Sequence, residues 1–149
     1  MNTTISPEET KETHAPKALY TAKTHTTGGR NGASRTSDGR LDVKLSPPGT
    51  TSAGTNPEQL FAVGWSACYQ SAIEHVARAK HITLSPESSV DAEVDLCNDE
   101  SGYFLRARLN VSLPGLDPEV AHTLIEEAHL TCPYSKATHG NIEVETNLV

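Results

Sequence analysis

The chain predicts an α+β fold: antiparallel strands around one long central helix and a second, shorter helix. Three patterns carry that reading. Apolar and polar residues alternate in several short stretches, as half-buried strands require. From Pro57 to about His81 no proline interrupts a largely apolar run, which marks a helix. A second stretch, opening at Asp117-Pro118, repeats apolar residues at helical spacing.

Ala18–Thr26, "ALYTAKTHT", is rich in β-formers and reads as the first strand. "GGRNG", residues 28–32, is a turn, because glycine and asparagine tolerate positive φ. In "GRLDVKLS", residues 39–46, Leu41, Val43 and Leu45 alternate with Asp42 and Lys44, and this strand forms a hairpin with the first. A loop follows, residues 47–55. Asn56 then caps, Pro57 suits the first helical turn, and Glu58 favours the positive end of the helix. The middle of this helix, "LFAVGWSACYQSAI", is apolar nearly all round and full of small residues, the composition of a central, buried helix. Ser89–Asn98 and Gly102–Leu113 are alternating strands about a turn at "DESG". Asp117 caps the second helix, whose stripe is Val120, Leu124, Ile125 and Ala128. It ends near Cys132, because the residue before a proline is pushed out of helical geometry. A short helical turn and a last strand, "NIEVETNLV", complete the order β-β-α-β-β-α-β.

Composition narrows the function. A net charge of −7 and a pI near 5.4 argue against nucleic acid or an anionic membrane as partner, and the twelve basic residues are scattered. No apolar stretch approaches the ~20 residues that span a bilayer. Residues 1–17 lack an apolar signal core and read as a flexible N-terminal extension, with a single domain over residues 18–149. The expected location is cytoplasmic, where cysteines are more often reactive or metal-bound than locked in structural disulfides. Aromatics are only 5% of the chain, so a lone subunit has a lean core and oligomerisation is expected.

Three cysteines draw attention. Cys68, mid-helix, reads on its own as a small buried apolar residue, and Cys97, on a strand, reads the same way. Cys132 stands at a bend before a proline, one helical turn from Lys136, which suits a reactive thiol. Burial raises a thiol's pKa, so Cys68 becomes a nucleophile only if a fixed positive charge reaches it. Arg30, in the glycine turn, is a candidate, and Glu58 can orient it through a bidentate pair. Read singly, Arg30 is an ordinary loop charge and Glu58 an ordinary helix N-terminal acid. Metal ligation draws on the pairs His129/Cys132 and Cys68/His75, but no CxxC or HxxxH pair exists, and neither a metal nor any other cofactor is expected. A cysteine hydrolase, with His129 or His139 as base, is a rival that would leave Cys132 to packing.

"TGGRNG", "GTNPEQLFAVGWSACYQSAI" and "CPYSKATHGNIEV" together resemble the organic hydroperoxide resistance proteins, the Ohr branch of the OsmC-like superfamily, over roughly residues 19–144. The resemblance implies an OsmC-like fold, an intertwined homodimer with active sites at the subunit interface, and a thiol peroxidase that prefers organic to hydrogen peroxide. It implies that Cys68 is the peroxidatic cysteine and Cys132 the resolving one. Arg30 would stabilise the thiolate and Glu58 would hold Arg30. The implied reductant is a dihydrolipoyl-type dithiol. Trp65 replaces a usual tyrosine, Asn31 an aspartate, and the loop before Asn56 is short. The OsmC branch of the stress response, or a non-catalytic redox-sensing dimer, are the neighbouring readings; "CPYSKATHGN" and the compact length favour the Ohr branch.

Glu58 and Cys68 lie ten residues apart, ~15 Å along a straight helix. Glu58, and with it an Arg30 tied to it, is therefore expected to complete the site of a partner subunit, unless the helix kinks near Gly64. Leu60, Phe61, Val63, Trp65 and Ile73 would give Cys68 apolar surroundings suited to a substrate with an apolar body.

Overall fold

The computed structural model describes residues 15–149. The extension expected at residues 1–17 falls, up to residue 14, outside the described residues. The elements are β1 (Thr24–Thr27), a 3-10 turn (Gly29–Asn31), β2 (Ala33–Thr36), β3 (Asp42–Lys44), α1 (Pro57–Ala79), β4 (Ser89–Asp99), β5 (Gly102–Ser112), α2 (Pro118–Thr131), α3 (Pro133–Thr138) and β6 (Glu143–Leu148). Two three-stranded sheets result, in the orders β1-β2-β3 and β4-β5-β6. The α+β class stands.

Both long helices begin as their capping residues dictate. The Asn56 side chain accepts the Gln59 N–H at 2.9 Å, and Asp117 accepts that of Glu119 at 2.9 Å. Trp65, Tyr69, Ala72, Ile73, Val76 and Ala77 form the buried stripe of α1. They pack with Leu124, Ile125 and Ala128 of α2 against Ala107, Leu109 and Val111 of β5. On the other face of β4 and β5 the alternate positions are charged: Arg106 and Arg108 hold Asp95, and Arg108 also meets Glu93.

Four details differ from the sequence expectations. The first strand begins at Thr24 rather than Ala18; Leu19 and Tyr20, though β-formers, are exposed. The expected hairpin is a three-stranded meander, because Ala33–Thr36 inserts β2 between β1 and β3. The last strand is parallel to its neighbour β5, not antiparallel, since α2 and α3 form a crossover that returns the chain to the starting end. Finally, α1 is buried on one face only within a single chain: Trp65 and Ile73 are core, whereas Val63 is 67% exposed. Leu96, Tyr103 and Phe104, at the tip of the β4–β5 hairpin, are also exposed.

α1 is unbroken at Gly64. The glycine serves a close approach instead: a Cβ there would stand 3.0 Å from the Tyr134 hydroxyl. The Tyr134 ring therefore lies against α1 one turn before Cys68.

Candidate active site

Cys132 links two helices. Its backbone (φ −69, ψ 120) is extended, as Pro133 requires, so it ends α2 and begins α3. Its side chain caps α3, the sulfur accepting the Ser135 N–H at 3.5 Å. The thiol is fully buried and donates toward Cys68 Sγ, 3.4 Å away. Both thiols are free. A disulfide bond is ~2.05 Å long, so the sulfurs need only close the last ångström or so. Cys97, on β4 opposite Phe104 of β5, is a third free thiol and makes no hydrogen bond to this pair.

Cys68 is half-buried, and burial pushes its thiol up. The Tyr134 backbone N–H pulls it the other way, and the neighbouring Cys132 adds to the rise. Among the described residues no arginine or lysine acts on the thiol to lower it.

Arg30 and Glu58 meet elsewhere on the same chain. Two parallel hydrogen bonds, 2.8 and 2.6 Å, join the guanidinium in the 3-10 turn to the carboxylate in the first turn of α1. Arg30 holds the Glu58 carboxyl below its ordinary range, and Glu58 raises Arg30 in turn. The pair lines an apolar hollow of about 280 Å³ with Phe61, Leu96, Tyr103 and Phe104. The four sequence candidates thus form two pairs, Cys68 with Cys132 and Arg30 with Glu58, and no hydrogen bond or ion pair joins one pair to the other.

His129 has no sulfur to serve as base. Its Nδ1 lies 2.9 Å from Ser135 Oγ and its Nε2 2.8 Å from Thr146 Oγ1, so both ring nitrogens are engaged. Sequence reading missed Ser135 and Thr146; the only hint was Ser135, three residues after Cys132 in "CPYS". Lys136, expected beside Cys132, lines a cavity of about 610 Å³ with Glu126, Leu130 and His139. Among the described residues no three His, Cys, Asp or Glu side chains gather to hold a metal, and no helix is long and apolar enough to cross a membrane.

The OsmC-like protein family matches residues 49–147. The organic hydroperoxide resistance protein of Xanthomonas axonopodis pv. citri is 43% identical over 136 residues, covering 89% of this chain and 96% of the relative. The crystal structure of the organic hydroperoxide resistance protein OhrB of Bacillus subtilis superposes with a TM-score of 0.84 at 43% identity, covering 89% of this chain and all of that one. A putative organic hydroperoxide resistance protein of Vibrio cholerae, solved with captopril bound in one of the active sites, gives a TM-score of 0.83 at 39% identity, covering 89% of this chain and 93% of that one.

Proposed function

Because the chain belongs to the OsmC-like protein family, in its organic hydroperoxide resistance branch, we propose that it is a cysteine-based peroxidase that reduces organic hydroperoxides to alcohols. The single observation that carries the reading is the meeting of two free thiols, Cys68 and Cys132, at 3.4 Å. The Cys68 thiolate attacks the terminal oxygen of the hydroperoxide. The O–O bond breaks, the sulfur becomes a sulfenic acid, and the alkoxide leaves as the alcohol with the proton the thiol gave up. Cys132 then displaces the sulfenic oxygen as water and closes the disulfide. A dithiol of the dihydrolipoyl type reopens it.

Arg30 lowers the thiol's pKa and offsets charge on the departing oxygen, and Glu58 aims Arg30. Burial raises the Cys68 thiol and no cation among the described residues offsets this, so a partner subunit supplies the Arg30–Glu58 pair in a homodimer. Exposed Val63, Leu96, Tyr103 and Phe104 support such an interface, since a partner would cover them. The apolar hollow beside Arg30 suits the body of a lipid or alkyl hydroperoxide. On this reading residues 18–149 form one domain behind an extension at residues 1–17, and the protein works in the cytoplasm.

Turnover of tert-butyl hydroperoxide and hydrogen peroxide with dihydrolipoamide, on the native protein and Cys68→Ser, tests the proposal. Turnover that favours the organic peroxide and is abolished by Cys68→Ser supports it. A folded protein that turns over neither peroxide refutes it and leaves a sensing role.

A further inference from the structure

Behind the two sulfurs runs a line of hydrogen bonds that the thiol chemistry leaves unused. His129, on the last turn of α2, touches Ser135 of α3 through Nδ1 and Thr146 of β6 through Nε2. Ser135 Oγ also accepts the Trp65 indole N–H at 3.2 Å, and the Ser135 backbone N–H reaches Cys132 Sγ. A hydroxyl has one proton and two lone pairs. With His129 neutral and protonated on Nε2, every group is used once: Nε2 donates to Thr146, and the Ser135 hydroxyl donates to Nδ1 while accepting from Trp65. If Nδ1 gains a proton, the Ser135 hydroxyl must accept from both neighbours. Its own proton is then stranded at a residue only 5% exposed.

The surroundings favour the neutral ring. Burial lowers the His129 pKa, and the nearby His139 lowers it further. Tyr69 of α1 stacks on the ring at 4.5 Å, with its hydroxyl donating to Ile125 O. Glu126 of α2, Lys136 of α3 and His139 line the same cavity, while β6 offers only uncharged Val144 and Thr146.

We propose that His129 is a positioning residue for the resolving cysteine: by fixing Ser135 it holds the first turn of α3 against Cys132 Sγ, keeping that sulfur aligned on Cys68. The inference rests on the peroxidase reading. The step it serves is balanced within the chain: the Cys132 sulfur bonds to the Cys68 sulfur, the S–O bond breaks, and the hydroxyl leaves as water with the Cys132 proton. Where alignment fails, the sulfenic acid survives long enough to meet a second peroxide and become sulfinic acid.

The experiment is stopped-flow oxidation with tert-butyl hydroperoxide, followed by the fluorescence of Trp65, the only tryptophan, with the sulfinic acid at Cys68 quantified by mass spectrometry. In His129→Leu the phase that forms the disulfide slows about tenfold and more sulfinic acid accumulates, while thiol oxidation changes less than about twofold. His129→Asn, whose amide oxygen can stand where Nδ1 stands, restores the resolving phase. Acid slows the native resolving step more than it slows that of His129→Asn, and the extra loss sets in below the ordinary histidine value because burial lowers the His129 pKa. Ser135→Ala reproduces the defect without touching the imidazole stack, and serves if His129→Leu does not fold. Both phases slowing together, or neither slowing, overturns the proposal while the peroxidase reading stands. No disulfide in the native protein removes both.

Discussion

Cys68 Sγ and Cys132 Sγ lie 3.4 Å apart within one chain, although 64 residues separate them. Packing of α1 against α2 and α3 brings them together, and the Pro133 bend turns the second sulfur off the apolar stripe of α2. The same bend makes a sulfur the cap of a helix, a place where oxygen is the usual acceptor.

On the proposed peroxidase reading Cys132 has two separable roles. Cys132→Ser keeps an acceptor for the Ser135 N–H, whereas Cys132→Ala loses it, so the alanine variant is expected to be less stable than the serine one by ~1 kcal/mol. At this chain length that is a difference of about 2–4 °C in Tm, read by thermal melts of reduced protein. Both variants consume one hydroperoxide per Cys68 and then stall, which thiol titration after a single addition detects. Sustained hydroperoxide turnover in either would return Cys132 to a packing role.

Arg30 and Glu58 act as one forked contact 28 residues apart in sequence. Glu58 stands ten residues before Cys68 on an unbroken helix, ~15 Å along its axis. Cys68→Ser and Glu58→Ala chains, each strongly impaired alone, should therefore complement when mixed. In the proposed homodimer a mixed pair carries one intact site, made of Cys68 from one chain and Glu58 from the other. Random pairing then restores about a quarter of native activity. No recovery after demonstrated subunit exchange would show that each chain builds its own site. Arg30→Lys is expected to lose at least about tenfold in activity, because a point charge cannot reproduce the fork.

Both long helices were legible because their ends carry local chemistry: Asn56 and Asp117 cap, Pro57 and Pro118 start, and apolar residues repeat at helical spacing. β2 was not. Ala33–Thr36 contributes no large apolar side chain, so this strand leaves no period-two apolar signal. The direction of β6 is fixed by the α2–α3 crossover, a tertiary feature invisible in six residues of strand. In the site, the bend at Cys132 follows from Pro133, whereas its pairing with Cys68 came from a family resemblance and needed coordinates to be seen. The line through His129, Ser135 and Thr146 joins α2, α3 and β6, and no spacing rule relates Thr146 to the other two.

α1 ends on a strained residue. His81 has φ 57, and around it Ile82 N–H bonds Ala77 O at 2.8 Å while His81 N–H bonds Arg78 O at 3.1 Å. This is the paired hydrogen-bond closure that glycine usually makes. His81 is exposed and far along the helix from Cys68. His81→Gly relieves the left-handed strain, partly offset by a more flexible unfolded chain, for a net gain of ~1 kcal/mol. His81→Val, with a branched Cβ, loses stability. Urea melts order the three proteins; a glycine variant no more stable than native would mean the strain is absent.

Acid should loosen the protein through particular carboxylates. Arg108 and Arg106 hold Asp95 well below the ordinary aspartate value of 3.8, and Arg30 holds Glu58 below 4.5. A carboxylate whose folded pKa is depressed stabilises the fold above its unfolded pKa and loses that contribution as pH falls through the folded one. Asp95→Asn and Glu58→Gln are therefore less stable than native protein at neutral pH. The gaps stay modest and shrink with added salt, because these ion pairs are solvent-screened. Below pH 4.5 the Glu58→Gln gap closes first, since the Asp95 carboxylate is held charged to lower pH by two guanidiniums. Urea midpoints measured from pH 7 down to pH 3 on the three proteins give the comparison. A gap that does not change with pH would mean the substitutions act through packing and not through charge.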